Sequence, residues 1–314
     1  MKSGLWILVT VIVIAIIVGA LLRNRVVPIE EADEMARLSE IEQIEDSETK
    51  LAGLEGFIAE SPESSLKPRV YSMISRELLR AVKDTTRFVD FAREVIETEN
   101  DAESKAIAYY YLYRVELETS VEAASLIGKE LLEKPVGVGW IYNEIGYGLA
   151  DRGEKLDIAL ALCDRAIELA ENRSDSASYT DSRGWVYYRK GMYKEAVTDL
   201  EASVALAEEP SDEILEHLAY ASLGAGDGDK AFDTFKRILV RGEYEYARAN
   251  VDSLMAARGY SAVEVAAFDR SLWEARMAAA RPAEAFDLPT LQGDAYAFEP
   301  AGGAVSIINF LSPT

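Results

Sequence analysis

Apolar side chains recur every three or four residues along most of this chain, which is the spacing of one buried face of an α-helix. Between residues 30 and 58 they stand at Met35, Leu38, Ile41, Ile44, Leu51, Leu54, Phe57 and Ile58. The polar stretch SPESS interrupts this pattern, and helical spacing resumes through ISRELLRAV, FVDFAREVIE, AIAYYYLYRVELE and AASLIGKELLE. We therefore predict an acidic helical linker over residues 26–66 and degenerate helical repeats over residues 67–135.

The first part of the chain is apolar throughout. Residues 5–22 read LWILVTVIVIAIIVGALL, without a charged side chain. As a helix they would extend about 27 Å, close to the thickness of the hydrocarbon layer of a bilayer. The run is longer than a usual signal-peptide core, so the sequence predicts an uncleaved transmembrane anchor over residues 1–25. Lys2 on one side nearly balances Arg23 and Arg25 on the other, and we favour a periplasmic, extracytoplasmic location for the bulk of the chain.

The middle of the chain contains an internal repeat. Three segments align with one another: NEIGYGLADRGEKLDIALALCDRAIELA, TDSRGWVYYRKGMYKEAVTDLEASVALA and EHLAYASLGAGDGDKAFDTFKRILV. Each has a glycine at its predicted turn, namely Gly153, Gly191 and Gly226. Each also has a small residue where two antiparallel helices would approach closely, namely Gly146, Gly184 and Ala219. The turn glycines are 38 and 35 residues apart, which indicates an array of two-helix units.

Over Val136–Val240 these residues resemble the tetratricopeptide repeat (TPR) family, most specifically in GWVYYRKGMYKEAVTDLEASVAL. Ser203 and Ile238 depart from the family pattern, which often has alanine there, as at Ala166. The resemblance implies a right-handed helical solenoid over residues 136–240 whose first helices line a concave face that binds a peptide or protein. We predict C-terminal capping helices over residues 241–281.

Helical geometry indicates which side chains would line that face. Residues at i, i+4 and i+7 share one side of a helix, and Asp181, Trp185 and Tyr188 follow this spacing. With their equivalents in the neighbouring units, the predicted protein-binding residues are Asn143, Tyr147, Asp181, Trp185, Tyr188, Glu216 and Tyr220. The alternative is that these aromatic side chains only pack between adjacent repeats.

Charge and composition limit the partners and the chemistry. The chain has 55 acidic and 33 basic residues and a net charge of −22, which repels nucleic acid, so we expect no nucleic-acid partner. His217 and Cys163 are its only histidine and cysteine, too few for a zinc cluster, a disulfide framework or a Ser-His-Asp triad. We predict no catalytic residue within the chain, no metal site and no cofactor, and we interpret Cys163 as a small core residue.

After Pro282 the pattern changes to short strands. FDL and YAF flank a turn, and the β-branched run VSIINFL is typical of a buried strand. Residues 282–314 resemble the start of a thioredoxin-like domain of the TlpA or peroxiredoxin type at Phe286, Leu288, Leu291, Gly293, Asn309 and Phe310. The resemblance implies a truncated thioredoxin-like N-terminus over these residues, with the redox nucleophile expected just after Thr314.

Three explanations for this position of the chain end stay open. We hypothesise that the next codon is UGA read as selenocysteine, which would make the natural product a selenoprotein. The alternatives are a fragment boundary and a true terminus. Sequencing the genomic DNA beyond codon 314 would distinguish them.

The sequence thus predicts an all-α fold: a TPR-like right-handed solenoid with one N-terminal transmembrane helix and a short β-type C-terminal stub. The predicted function is a membrane-anchored protein-interaction module fused to an incomplete thioredoxin-like domain, whose complete product would be a thiol–disulfide oxidoreductase. The alternative is a pure TPR scaffold or assembly protein without catalytic activity. The expected partners are a protein or peptide on the concave face and the membrane through residues 5–22.

Overall fold

The computed structural model describes residues 29–279 and two short strands at 286–289 and 295–298. Tertiary contacts divide the chain into two compact units, unit 1 with residues 1–208 and unit 2 with residues 209–314. The described part of unit 1 is helical, and unit 2 contains both helices and the two strands.

Ten α-helices make up the described part of unit 1, and a π-helical segment, Glu77–Val82, follows the third directly. The helices are α1 (Ile29–Glu42), α2 (Ser47–Glu60), α3 (Lys67–Arg76), α4 (Thr85–Thr98), α5 (Ala102–Thr119), α6 (Val121–Glu133), α7 (Gly139–Arg152), α8 (Leu156–Glu168), α9 (Arg173–Arg189) and α10 (Tyr193–Leu206).

Polar side chains fix where several of these helices begin. Asp46, Asp84 and Asp101 each accept a hydrogen bond from the backbone N–H three residues further on. Ser120 and Asn172 cap α6 and α9 in the same way. Such a cap stabilises a helix by about 1 kcal/mol, so these residues set the helix boundaries locally.

One hydrophobic core runs through unit 1 and stabilises its short helices. Leu38 and Phe57, from the predicted linker at residues 26–66, are buried in the same core as Leu112 and Val186. Helices α1 and α2 are therefore part of this packed helical unit. Cys163 is also fully buried in this core, as expected for a small core residue.

The predicted repeat turns have the backbone conformation that glycine adopts most easily. In unit 1, Gly153 and Gly191 have φ angles of 71° and 74°, and in unit 2 Gly226 has a φ angle of 79°. A side chain would strain the backbone at these angles, so glycine is suited to ending the first helix of each pair. The predicted turn positions are confirmed.

The small residues on the first helices allow the close packing that the repeat pattern predicts. A Cβ atom added to Gly146 would lie 2.8 Å from the Sγ atom of Cys163 on α8. One added to Gly184 would lie 2.7 Å from the Cγ atom of Leu200 on α10. The helix pairs α7–α8 and α9–α10 therefore pack too tightly for a larger residue at either glycine.

Unit 2 continues with four described helices, α11 (Asp212–Gly224), α12 (Gly228–Arg241), α13 (Glu245–Ala257) and α14 (Ala262–Ala279). Phe235 and Val251 are fully buried, and Phe268 of α14 packs against Phe232 of α12. Gly259, which lies 33 residues after Gly226, has a φ angle of 72° and follows α13. The segment predicted as capping helices thus also contains a glycine turn.

The C-terminal strands form a two-stranded antiparallel sheet. Strand β1 (Phe286–Pro289) pairs with β2 (Ala295–Phe298), so that Phe286 is opposite Phe298. In the described part of unit 2 no other strand joins them, so the expected beginning of a thioredoxin-like sheet is corrected to an isolated strand pair. The run from Val305 to Leu311, on which the resemblance also depended, lies outside the described residues.

The predicted membrane topology is corrected as well. Over residues 29–279 and the two strands, no helix is both long and apolar enough to cross a bilayer. The 18-residue helices α5 and α14 carry charged side chains along their length. The apolar run at residues 5–22 lies outside the described residues. The structure therefore does not support a fold class with a transmembrane helix, or a single-pass protein with its bulk in the periplasm.

Candidate functional site

The predicted protein-binding residues lie on three helices in two separate units. They are Asn143 and Tyr147 on α7, Asp181, Trp185 and Tyr188 on α9, and Glu216 and Tyr220 on α11. Helices α7 and α9 are in direct contact within unit 1, whereas α11 belongs to unit 2. All seven are partly buried except Asp181, which is 6% exposed and lies inside the packed unit.

Arg183 fixes the rotation of α9 about its own axis. Its Nε and Nη2 atoms donate to the two carboxylate oxygens of Asp199 on α10, at 2.7 and 3.0 Å, and its Nη1 atom donates to Asp164 on α8 at 2.9 Å. Paired charge-assisted hydrogen bonds of this kind are strong and directional. Trp185 and Tyr188 lie on the opposite side of the helix by its periodicity, so the arginine orients them.

Three aromatic residues form a cluster at the C-terminal end of α9. The rings of Trp185 and Tyr188 stack with centroids 4.7 Å apart and planes 15° apart. The ring of Tyr193, at the start of α10, lies 5.7 Å from that of Tyr188. We call Trp185, Tyr188 and Tyr193 the aromatic cluster. Such rings supply large apolar area to a ligand at low cost in conformational entropy.

Arg189 covers one side of the aromatic cluster. Its guanidinium carbon lies 5.7 Å from the centre of the Trp185 ring, within the range of a cation–π interaction. Its Nη1 atom donates to the backbone carbonyl oxygen of Asp151, at the end of α7, over 2.7 Å. The indole thus contacts both a tyrosine ring and a cation that is itself fixed to the neighbouring helix.

Asn143 presents a buried acceptor. Its Oδ1 atom is inaccessible to solvent, and the described part of the chain gives it no hydrogen-bond partner. A buried acceptor without a partner costs about 1–3 kcal/mol, so such atoms are uncommon in folded proteins. A bound molecule reaches this atom with an N–H group only if the partly buried side chain of Asn143 turns toward the surface.

The corresponding residues in unit 2 are engaged within that unit. Tyr220 packs edge-on against Phe235 of α12, with ring centroids 5.5 Å apart. Burial, together with the charge of the nearby Glu216 carboxylate, raises the pKa of Tyr246 of α13. These contacts resemble packing more than an open binding surface.

The described residues do not form a metal centre. No group of three or more His, Cys, Asp or Glu side chains over residues 29–279 is placed to hold a metal ion. Burial raises the pKa of the Cys163 thiol, which disfavours the thiolate form that nucleophilic chemistry needs.

No protein-family model matches the chain. Among known proteins, the photosystem I assembly protein Ycf3 of Prochlorococcus marinus strains MIT 9303 and MIT 9313 is 39% identical over 66 residues. The match covers 18% of this chain and 38% of each relative. The chain therefore matches well under half the length of these relatives.

Similar solved structures include YrrB, described as a TPR protein with an unusual peptide-binding site. It is 18% identical and has a TM-score of 0.44, with 66% of this chain and 98% of that chain covered. Yeast Tom70 is also 18% identical and has a TM-score of 0.46, with 72% of this chain and 46% of that chain covered.

The glycine turns, the small residues facing large ones and the spacing of the helix pairs agree with the resemblance seen in the sequence. The helix pairs therefore have a TPR-like arrangement. Within these helix pairs, sequence reasoning missed Tyr193 and Arg189. The sequence did indicate Arg189: it follows Trp185 by four residues, and that spacing places both side chains on one face of the helix. Tyr193 lies beyond the turn and could not be placed from the periodicity of α9 alone.

Proposed function

We propose that this chain is a non-catalytic scaffold or assembly protein whose TPR repeats bind an extended peptide segment of a partner protein at α7 and α9. The observation that supports the proposal is the aromatic cluster of α9 in the same unit as the buried, unsatisfied acceptor of Asn143. An apolar surface near a polar group that fixes orientation is the usual make-up of a recognition site.

An extended peptide suits both features. Its backbone has N–H groups that are not used in secondary structure, and one of them can donate to the Oδ1 atom of Asn143 once this partly buried side chain turns toward the surface. An apolar side chain of the same peptide can then lie against the aromatic cluster. Arg183 and Arg189 hold the helices in place, so little ordering is needed on binding.

The general role of assembly is drawn from the matched relative, which is named for the assembly of photosystem I. The similarity covers 18% of this chain, so we extend to it only the role of holding protein partners together. We propose no thiol chemistry for the described residues, because Cys163 is buried and burial raises the pKa of its thiol.

A peptide library selected on the full chain tests the proposal. The affinity of a selected peptide would be measured by isothermal titration calorimetry for the wild type and for Trp185→Ala and Asn143→Ala. We expect each substitution to weaken binding by about tenfold or more, as at a recognition hot spot. Tyr260→Ala is the matched control, since Tyr260 is an exposed aromatic residue in unit 2.

Asn143→Ala separates binding from stability. Removing a buried acceptor that lacks a partner should leave the free energy of unfolding unchanged or slightly raised. Binding that is equally strong in the wild type and in both unit 1 variants would contradict the proposal. Failure of the library to yield any peptide that binds the folded chain would also contradict it.

A further inference from the structure

A second surface of unit 1 carries a charge opposite to that of the chain as a whole. An open groove of about 680 Å³ lies between α6, the α7–α8 turn and the end of α9. We call it the basic groove, after its four cationic lining residues: Lys129, Lys155, Arg189 and Lys190. Asp157 is the only acidic residue among those that line it, although acidic residues outnumber basic ones 55 to 33 in the chain.

The positive charges in the basic groove are only partly neutralised. Lys155 pairs with Glu122, and Lys190 pairs with Asp157. Arg189 donates to the neutral carbonyl oxygen of Asp151. Among the residues that the structure describes, neither Arg189 nor Lys129 forms a salt bridge with a carboxylate. Four cations therefore face two carboxylates, which leaves the groove positive.

The backbone adds to this positive charge. Helix α8 begins in the groove at Leu156, and its N-terminus has no side-chain cap. The first amides of an uncapped helix carry a partial positive charge, which lies here beside the ammonium groups. This contribution supports the lysine and arginine cluster and would not define a site without it.

The basic groove is continuous with the proposed peptide site through one residue. Arg189 lines the groove and also covers the Trp185 ring of the aromatic cluster. A segment that crosses the aromatic cluster can therefore reach the groove without leaving unit 1.

We propose that the basic groove binds acidic side chains of the partner peptide, in a segment adjacent to the part that contacts the aromatic cluster. This inference rests on the proposed function, and it adds that the partner carries Asp or Glu residues at one end of the bound segment. Two carboxylates of the peptide would neutralise the remaining positive charge of the groove. The groove would thereby give an acidic segment one defined place to bind on a strongly acidic protein.

The experiment uses the full chain and a fluorescein-labelled glutamate-rich peptide, with the glutamine analogue of the same peptide for comparison. Fluorescence anisotropy would be measured at low salt for the wild type and for Lys129→Glu/Lys155→Gln. Both lysines lie at the surface, and Glu122, the partner of Lys155, is largely exposed, so the variant is expected to fold. Lys194→Glu is a control in the same unit, because Lys194 is exposed and lies outside the groove.

We expect the glutamate peptide to bind at least about tenfold more tightly than its glutamine analogue. The double variant should lose this difference, and Lys194→Glu should keep it. Equal binding of the glutamate peptide to wild type and double variant would overturn the proposal, as would no binding at low salt. Complete displacement of the peptide by inorganic phosphate at a similar concentration would overturn the assignment to acidic side chains and indicate a general oxyanion site.

The two proposals can fail separately. If Trp185→Ala weakens the library-selected peptide while the lysine variant leaves the glutamate peptide unaffected, the peptide site stands and the basic groove is refuted. If the lysine variant loses the glutamate peptide and Trp185→Ala changes the binding of neither peptide, the groove binds acidic groups but the proposed function at α7 and α9 is refuted.

Discussion

Helices α9 and α11 share one sequence spacing, but their aromatic side chains have different surroundings. On α9, Trp185 stacks almost parallel to Tyr188, and both rings lie partly exposed beside Tyr193. On α11, Tyr220 meets the buried Phe235 of the next helix at an interplanar angle of 81°. Trp185 also packs against the core of unit 1, so the difference lies in the ring partners: a partly exposed tyrosine of the same helix on α9, and a buried phenylalanine of the next helix on α11.

The difference shows what helical periodicity determines and what it does not. Periodicity places Trp185 and Tyr220 at equivalent positions on a first helix. The side chains on the following helix differ between the two units and give the two rings different neighbours. Leu200 of α10 contacts Gly184, while the larger Phe235 of α12 reaches Tyr220.

The largest effect is expected from deleting these two side chains. Leu200 and Phe235 are both fully buried, so Leu200→Ala should cost about 2–5 kcal/mol and Phe235→Ala about 3–5 kcal/mol of the free energy of unfolding. Urea denaturation followed by circular dichroism measures both. Truncating a buried aromatic side chain usually lowers the free energy of unfolding by several kcal/mol. If Phe235→Ala lowers it by less than about 1 kcal/mol, the Phe235 ring does not support Tyr220.

A smaller loss is expected from overpacking the α9–α10 pair. Ala196 is fully buried on α10, so Ala196→Leu should destabilise the protein by about 1–3 kcal/mol. Ala205, exposed on the same helix, should tolerate Ala205→Ser within about 0.5 kcal/mol. Equal shifts of the melting temperature at the two positions would mean that the register of α10 is wrong.

The smallest effects concern two acids, one in each unit. Burial acts to raise the pKa of Glu99, but hydrogen bonds from Lys67 Nζ at 2.7 Å and Tyr71 Oη at 2.5 Å lower it overall. For Asp212 the same balance holds: burial raises its pKa, and Tyr244 and Arg241 lower it overall.

When folding lowers the pKa of a carboxyl group, the charged group stabilises the folded state at pH values above its unfolded pKa of about 4. This stabilisation is lost as the pH falls through the pKa of the folded state. Glu99→Gln and Asp212→Asn should therefore be less stable than the wild type at neutral pH, by about 1 kcal/mol or less for such partly exposed pairs. The difference should disappear at lower pH. Chemical denaturation across an acid pH series measures it, and a difference that persists or grows at low pH would contradict the assigned pKa direction.

Much of the repeat region could be predicted from sequence because its signals are local. A glycine in a left-handed turn and a small residue opposite a large one follow from backbone sterics and side-chain size, as Gly153, Gly191 and Gly226 show. Gly259 was missed although its spacing fits, because the segment before it lacks the small-residue pattern of the earlier units.

The parts of the site that sequence could not supply depend on contacts between distant residues. Arg183 joins α9 to Asp164 and Asp199, and Arg189 reaches Asp151 on another helix. The Oδ1 atom of Asn143 is unsatisfied because the described residues around it place no hydrogen-bond donor within reach. Such pairings depend on the packed arrangement of several helices, which helical periodicity does not specify.

The most direct test of the central claim compares Trp185→Ala with Tyr220→Ala, using one library-selected peptide and the full chain. We predict that Trp185→Ala weakens peptide binding by about tenfold or more, while Tyr220→Ala lowers the melting temperature and leaves the affinity of the folded protein within about twofold. Calorimetric titration and thermal unfolding of the same samples give both quantities. Loss of affinity in Tyr220→Ala with none in Trp185→Ala would contradict the assignment of binding to α9 and of packing to α11.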